Sequence, residues 1–182
     1  MADHRFERTD TDIRRAFMAA LTKQGFETLT VAGLARLSKV DRTTFYAHYE
    51  SLFTLAEQVI TDQVALLRAT LVQGGMVTAA KAAHDQLFSE TVIAQLSQQA
   101  VAIRKLRLIS LGTQSFDAQC RRLFAAIYQQ VLGVDPNSFT GFLLVNIAMS
   151  DLDFILLKQR APARAELAAS LNQLIAIARG FK

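Results

Sequence analysis

Two short segments with the pattern of helices are separated by only three residues, and this spacing limits the fold more than any other feature of the sequence. The first segment, VAGLARL, follows Thr30, whose hydroxyl can cap a helix N-terminus. Its apolar side chains are expected on one side: Val31, Leu34 and Leu37. The second segment follows Asp41, another capping residue, and runs to about Tyr49. Two short helices joined by so tight a turn predict a helix-turn-helix, with the second helix free to enter a groove.

The second of these helices divides into an inner and an outer side. Val40, Phe45 and Tyr49 are expected on the inner side, packed against Phe17 and Leu34. The residues expected to face solvent carry hydroxyl, guanidinium and imidazole groups: Arg42, Thr43, Thr44, Tyr46 and His48. Such groups suit a phosphate backbone and base edges, although an ordinary polar surface has a similar composition.

The rest of the chain has the pattern of long helices. The segment TDIRRAFMAALTKQGF places one apolar stripe at helical spacing: Ile13, Ala16, Phe17, Ala20 and Leu21. We expect Gly25 to end this helix in the left-handed conformation. Two Pro and eight Gly are too few for a sandwich or barrel with many turns. The remainder is divided into about five further helices by residues that break helices. These breaks are expected at Gly74-Gly75, Gly112, Gly133 to Pro136, and Pro162.

These patterns predict an all-α protein of two parts. Residues 1–50 are expected to form a three-helix helix-turn-helix domain, and residues 51–182 are expected to form a further helical domain. The single cysteine, Cys120, excludes an intrachain disulfide and suits a reducing cytosol. The polar start and the lack of a long uninterrupted apolar window predict a soluble cytoplasmic protein without a membrane span.

Charge alone does not identify a partner. The chain has a net charge of +4, but residues 1–50 contain eight Lys and Arg against seven Asp and Glu. A mildly basic solvated surface explains this balance about as well as nucleic-acid binding does.

Catalysis is disfavoured by the scatter of the reactive side chains. The three His have no metal-ligand spacing, and the chain lacks a phosphate-binding Gly-rich loop and a nucleophile elbow. Asp151 and Asp153 diverge by about 200° on a helix, which does not suit paired carboxylate chemistry. We therefore predict no enzyme activity, no cofactor and no metal site.

Residues 9–56, which include TDIRRAFMAALTKQGFETLTVAGLARLSKVDRTTFYAHYESLFTL, resemble the N-terminal DNA-binding region of the TetR/AcrR transcriptional regulators. The resemblance follows a Gly-Phe pair, a Thr-Val that opens the second helix, and a TFYxHF recognition helix. The residues in register are Gly25, Phe26, Thr30, Val31, Leu34, Ala35, Val40, Arg42, Thr44, Phe45, Tyr46, His48 and Tyr49. It implies that Arg42, Thr43 and Tyr46 read bases, and that Thr30, Thr44 and His48 contact phosphates.

Two positions depart from the family pattern. Lys39 stands where the family has a Gly with positive φ, and it adds a cation near the phosphates. Leu52 and Phe53 replace a Lys-Glu pair, so a phosphate-binding Lys is missing. The second departure leaves open an alternative function, a regulatory adaptor of the same fold that binds a partner protein and binds DNA weakly.

Residues 51–182 resemble the family's effector-binding and dimerisation domain in length and helical content. Its last two segments are apolar on more than one side: Phe142, Leu143, Val145, Ile147, Met149, Leu152 and Phe154, then Leu167, Leu171, Leu174, Ile175 and Ile177. The resemblance implies a homodimer on a palindromic DNA operator, acting as a repressor released by a small-molecule effector. Residues that could line an effector site, although core packing explains most of them as well, are Phe88, Arg107, Phe116, Phe124, Tyr128 and Met149.

Overall fold

The computed structural model describes residues 2–74 and 89–180, and the regular elements of these ranges are helices. This confirms the all-α prediction. The described ranges contain eight α-helices: α1 (Ala2–Lys23), α2 (Val31–Leu37), α3 (Arg42–His48), α4 (Leu52–Gln73), α5 (Glu90–Leu106), α6 (Phe116–Leu132), α7 (Phe139–Lys158) and α8 (Arg164–Gly180). Single-turn 3-10 helices lie at Phe26–Thr28 and at Gly112–Gln114.

The chain forms two compact units. The first contains Met1–Ala65 and Val101–Gln119, and the second contains Leu66–Ala100 and Cys120–Lys182. Helix α4 therefore contributes to both units. The division of functions between residues 1–50 and 51–182 stays a prediction.

The core of the first unit follows the apolar stripe of α1. Ile13 and Phe17 are fully buried, as are Phe45 of α3 and Leu55 of α4. The ring of Phe17 meets the edge of Phe26 at 6.3 Å between centroids. Full burial of one such side chain contributes about 1.5–3 kcal/mol, so this cluster stabilises the packing of α1, α3 and α4.

The expected left-handed conformation of Gly25 is wrong. Gly25 has φ −65° and ψ 161°, and it precedes the 3-10 turn as an extended residue. Helix α1 ends with Gln24 donating to the Ala20 carbonyl, and the Thr28 N–H then bonds to the Gly25 carbonyl at 3.2 Å. The second bond starts a new turn directly after α1, and this turn takes the place of a glycine cap.

Leu37 does not share the buried side of α2. Leu34 is 1% exposed, whereas Leu37 is 56% exposed. Side chains three residues apart are about 60° short of a full turn, so the third member of such a series rotates away from the first. The sequence pattern alone did not distinguish Leu37 from Leu34.

The second unit is centred on α7. Its fully or nearly buried residues repeat at helical spacing along the inner side: Val145, Ala148, Met149, Leu152, Ile155 and Leu156. Ser138 caps α7 by accepting a hydrogen bond from the Gly141 N–H at 3.0 Å. In contrast, α8 has no buried residue.

Within the described ranges, α7 is also the one helix long and apolar enough to cross a membrane by length and composition. About half of that apolar stretch, 44%, is buried inside the structure. The core helix of a soluble protein passes the same test, so this single helix is not enough to assign a span.

Candidate nucleic-acid interface

The N-terminus of α2 is capped as the sequence predicts. Thr30 is extended, and its hydroxyl oxygen accepts a hydrogen bond from the Gly33 N–H at 3.1 Å. A Cβ at position 33 would lie 3.1 Å from that oxygen, so Gly33 lets the cap close without crowding. Thr30 is exposed and its hydroxyl hydrogen is not used by the cap. It can therefore be donated to a phosphate oxygen.

The turn between α2 and α3 confirms the prediction of positive φ at Lys39, which has φ 58°. The Val40 N–H donates to the Ala35 carbonyl at 3.0 Å, and the Lys39 N–H donates to the Arg36 carbonyl at 3.3 Å. This pair of bonds is the Schellman arrangement, which requires a left-handed residue at position 39. Lys39 is exposed and lies three residues before Arg42, the first residue of α3.

Asp41 caps α3 by accepting a hydrogen bond from the Thr44 N–H at 2.6 Å. Hydrogen bonds from the Thr44 backbone and hydroxyl lower the pKa of Asp41 below its usual value. The half-buried Thr44 side chain is therefore already engaged at the cap. Phe45 is fully buried and Tyr49 is 1% exposed, which confirms these two inner residues, whereas Val40 lies before α3 and is only half-buried.

The three predicted base readers share the exposed side of α3. Arg42 and Thr43 are exposed, and Tyr46 is 54% exposed. Residues 42 and 46 are four apart, so they lie on one face of the helix, with Thr43 beside them. A guanidinium, a hydroxyl and a phenol are thus available along the first turns of a helix whose other side is fixed in the core.

The expectation that His48 faces solvent is wrong. Its side chain is 3% exposed, and its Nδ1 lies 3.8 Å from Asp10 Oδ1. The imidazole stacks on the ring of Phe6 with 3.8 Å between centroids. Helix α1 begins at Ala2, so its first turns cover the end of α3. A phosphate contact from His48 stays a prediction, and it would require Phe6 to move.

A polar network that the sequence did not reveal joins α1 to α3 and α4. The Tyr49 hydroxyl donates to the Asp10 carboxylate. Arg14 donates to Asp10 at 2.7 Å and to Asp62 at 2.5 Å. Burial, together with the hydrogen bond to Asp10, raises the pKa of Tyr49 above its usual value. The i, i+4 spacing of Asp10 and Arg14 was the one signal of this network in the sequence.

The start of α4 is capped but carries no cation. Ser51 accepts a hydrogen bond from the Thr54 N–H at 3.1 Å. Phe53 is 60% exposed, and its ring meets Phe26 at 5.3 Å between centroids. The apolar pair Leu52-Phe53 therefore leaves this helix end without the ammonium group that the family pattern places there.

Comparisons with known proteins locate this fold among solved structures. No protein-family model matches the chain, and no curated protein matches it in sequence. A solved structure described as a gamma-butyrolactone receptor (ArpA like protein) matches with a TM-score of 0.54. The match covers 84% of this chain and 78% of that chain at 13% identity. At this identity the likeness shows a shared fold.

The predicted effector residues are divided between the two units. Arg107 and Phe116 lie in the first, where Arg107 Nε is 2.7 Å from Asp117 Oδ1. Phe124, Tyr128 and Met149 lie in the second. Phe88 lies outside the described residues. The described structure therefore does not gather the predicted set within one unit, and its role stays a prediction.

The second unit contains a small apolar cavity and a buried carboxyl group. Phe124 contributes to the cavity, which has a volume of about 10 Å³. Asp151 of α7 is 9% exposed, and burial raises its pKa to about 6. Burial, followed by the charge of Asp151, raises the pKa of Tyr128 to about 12. Sequence reasoning treated Asp151 only as an unsuitable catalytic residue.

Proposed function

We propose that this chain is a sequence-specific DNA-binding transcriptional regulator. The observation that carries the proposal is the division of α3 into a buried side and an exposed side with Arg42, Thr43 and Tyr46. Guanidinium and hydroxyl groups on an exposed helix can hydrogen-bond base edges in the major groove. The capped N-terminus of α2, with the free hydroxyl hydrogen of Thr30, supplies a backbone contact that sets the register.

We further propose that the regulator is a homodimer. Helix α8 has no buried residue, although its apolar side chains include Leu174 at 61% and Ile177 at 56% exposure. On α7, Phe142 and Leu157 are 60% and 71% exposed. Apolar surface on two helices favours burial against a second copy. A two-fold dimer would present two α3 helices to half-sites about 34–36 Å apart, or a multiple of that spacing.

Response to a small-molecule effector, with release of repression, is the finer part of the proposal. Its support is the family resemblance of the N-terminal part and the fold shared with a protein described as a gamma-butyrolactone receptor. The cavity beside Phe124 holds about 10 Å³, whereas ligand sites usually need about 300–1,000 Å³. An effector that used this part of the core would have to bind a more open state and shift the population towards it. We place this regulator in the cytoplasm.

The alternative function is an adaptor of the same fold that binds a partner protein. The exposed Phe53 at the start of α4 favours it, because an apolar ring there offers protein contact and no phosphate contact.

Selection of bound fragments from random DNA duplexes by the full chain tests the main proposal. We expect enrichment of a palindromic motif and binding that weakens as salt rises. Arg42→Ala and Tyr46→Ala should lose or relax this enrichment, whereas Lys23→Ala, a change of an exposed residue at the end of α1, should retain it. No enrichment by the parent chain, together with DNA binding that is absent or insensitive to salt, would favour the adaptor.

A further inference from the structure

A groove of about 690 Å³ lies between α1 and the turn that joins α2 to α3. Its lining contains four cationic side chains and one acidic side chain: Arg5, Arg8, Arg15, Lys39 and Asp12. Thr9 and Ser38 add hydroxyl groups to the lining. The groove is therefore strongly positive, unlike the balanced charge of the N-terminal fifty residues as a whole.

The positive charge is concentrated by the spacing along α1. Arg5, Arg8, Asp12 and Arg15 follow one another at three- and four-residue steps, which puts them on one side of the helix. The carboxylate of Asp12 forms an ion pair with Arg15, with 3.1 Å between Asp12 Oδ1 and Arg15 Nη1. Among the described residues, Arg5, Arg8 and Lys39 have no carboxylate within ion-pair distance. Their charges remain available to an anion from outside the chain.

The place of the groove indicates which anion it takes. Lys39 and Val40 form one wall, and Arg42 on the exposed side of α3 follows two residues later. Arg5, Arg8, Arg15, Leu37 and Lys39 are all exposed, so the groove is open. Sites for small ligands bury about 70–90% of the ligand surface, which an open groove does not do. A polyanion that passes along the surface next to α3 fits it better.

We propose that this groove binds the phosphate backbone of DNA beside the bases that α3 reads, through Arg5, Arg8 and Lys39. The inference rests on the proposed DNA-binding function and adds a site to it on α1. It also accounts for the apolar start of α4. The cation that is missing at Leu52 and Phe53 is replaced by cations on α1 and in the turn between α2 and α3.

The test compares double variants of the full chain on a labelled random-sequence duplex and on any selected operator. Arg5→Gln with Arg8→Gln should lower the slope of log affinity against log salt by about 2 per bound protomer, at about 0.9 per phosphate contact. The same slope makes two contacts worth about 60-fold in affinity at about 0.1 M relative to about 1 M salt. Arg5→Lys with Arg8→Lys should retain the slope, because the charges remain.

Lys23→Gln with Arg68→Gln is the matched control, since it removes two exposed charges that do not line the groove. Its slope should equal that of the parent, and thermal unfolding should show that every variant is folded. A parent slope retained by Arg5→Gln/Arg8→Gln would overturn the groove site and leave DNA binding by α3 standing. A parent chain that binds no duplex would overturn the proposed function and the groove site together.

Discussion

Substitution of two adjacent residues of α3 separates its folding side from its binding side. Phe45 is fully buried, with its ring 6.0 Å from that of Tyr49, whereas the neighbouring Tyr46 is 54% exposed. Phe45→Ala leaves a cavity in the first unit and should destabilise the chain by roughly 3–5 kcal/mol. Tyr46→Ala loses an edge contact with Phe45 and little else in the fold. It should destabilise by at most about 1 kcal/mol.

DNA binding should respond in a different way to Tyr46→Ala. Loss of one good base contact should weaken binding to a selected operator by about 1–3 kcal/mol, or roughly 5- to 150-fold. Urea unfolding followed by circular dichroism measures the stabilities, and fluorescence anisotropy measures binding. Protein concentration is held constant because association changes the apparent stability. If Tyr46→Ala were as destabilising as Phe45→Ala and left operator affinity unchanged, the assignment of the two sides of α3 would be refuted.

Three further predictions concern the second unit and the turn. Leu174→Glu places a charge on the exposed apolar surface of α8 and should convert the proposed dimer to a monomer in light scattering, whereas a parent that is itself monomeric would refute the dimer. Burial raises the pKa of Asp151 to about 6 from 3.8, so the stability contributed by the neutral acid is fully present below about pH 4 and is lost as pH rises through about 6. Asp151→Asn should therefore stabilise the chain by up to about 3 kcal/mol at about pH 8 and much less at about pH 4, as seen by urea unfolding. The exposed Asp153→Asn serves as control, and an equal gain from it would contradict the reasoning. Lys39→Gly should raise stability by up to about 1 kcal/mol while weakening DNA binding and its salt dependence. Loss of stability in that variant would show that the positive φ is not a strain.

The parts of the fold that could be predicted from the sequence are those decided within a few residues. The caps at Thr30 and Asp41 depend on one side chain and the N–H three residues later. The buried Phe45 and the exposed Tyr46 follow from helical periodicity, because Phe45 and Tyr49 are four residues apart and share the apolar side of the helix. The positive φ at Lys39 was implied by the family resemblance, which places a Gly there, and the Schellman hydrogen bonds of the turn require it.

The errors lie where a distant segment decides the environment. His48 has a polar side chain on a helix that otherwise points its polar groups outward, but Phe6, more than forty residues earlier, covers it. Gly25 does not have the expected left-handed conformation, because the three following residues form a 3-10 turn that it precedes as an extended residue. The cationic groove was also hidden, because a charge count along the chain averages Arg5 and Arg8 with acids that lie elsewhere in space.

The sequence gives the least support to the proposed effector residues. Aromatic and Met side chains at helical spacing are typical of a core, and Phe116 and Phe124 are indeed 0% and 3% exposed. Burial of this kind is what packing alone would produce. The buried carboxyl of Asp151 is more informative, because a charged residue type with little exposure requires a reason that apolar packing does not supply.

Lys39 shows how stability and binding oppose each other at one position. Its left-handed conformation costs up to about 1 kcal/mol relative to glycine, in the free chain and in the DNA complex alike. One phosphate contact is worth about 8-fold in affinity at about 0.1 M relative to about 1 M salt, which is about 1.2 kcal/mol. The two quantities are nearly equal, so the proposed phosphate contact of Lys39 would offset the strain at this turn. The backbone strain is independent of salt, whereas the phosphate contact weakens as salt rises. We therefore expect lysine to be favoured at this turn at low salt and glycine at high salt.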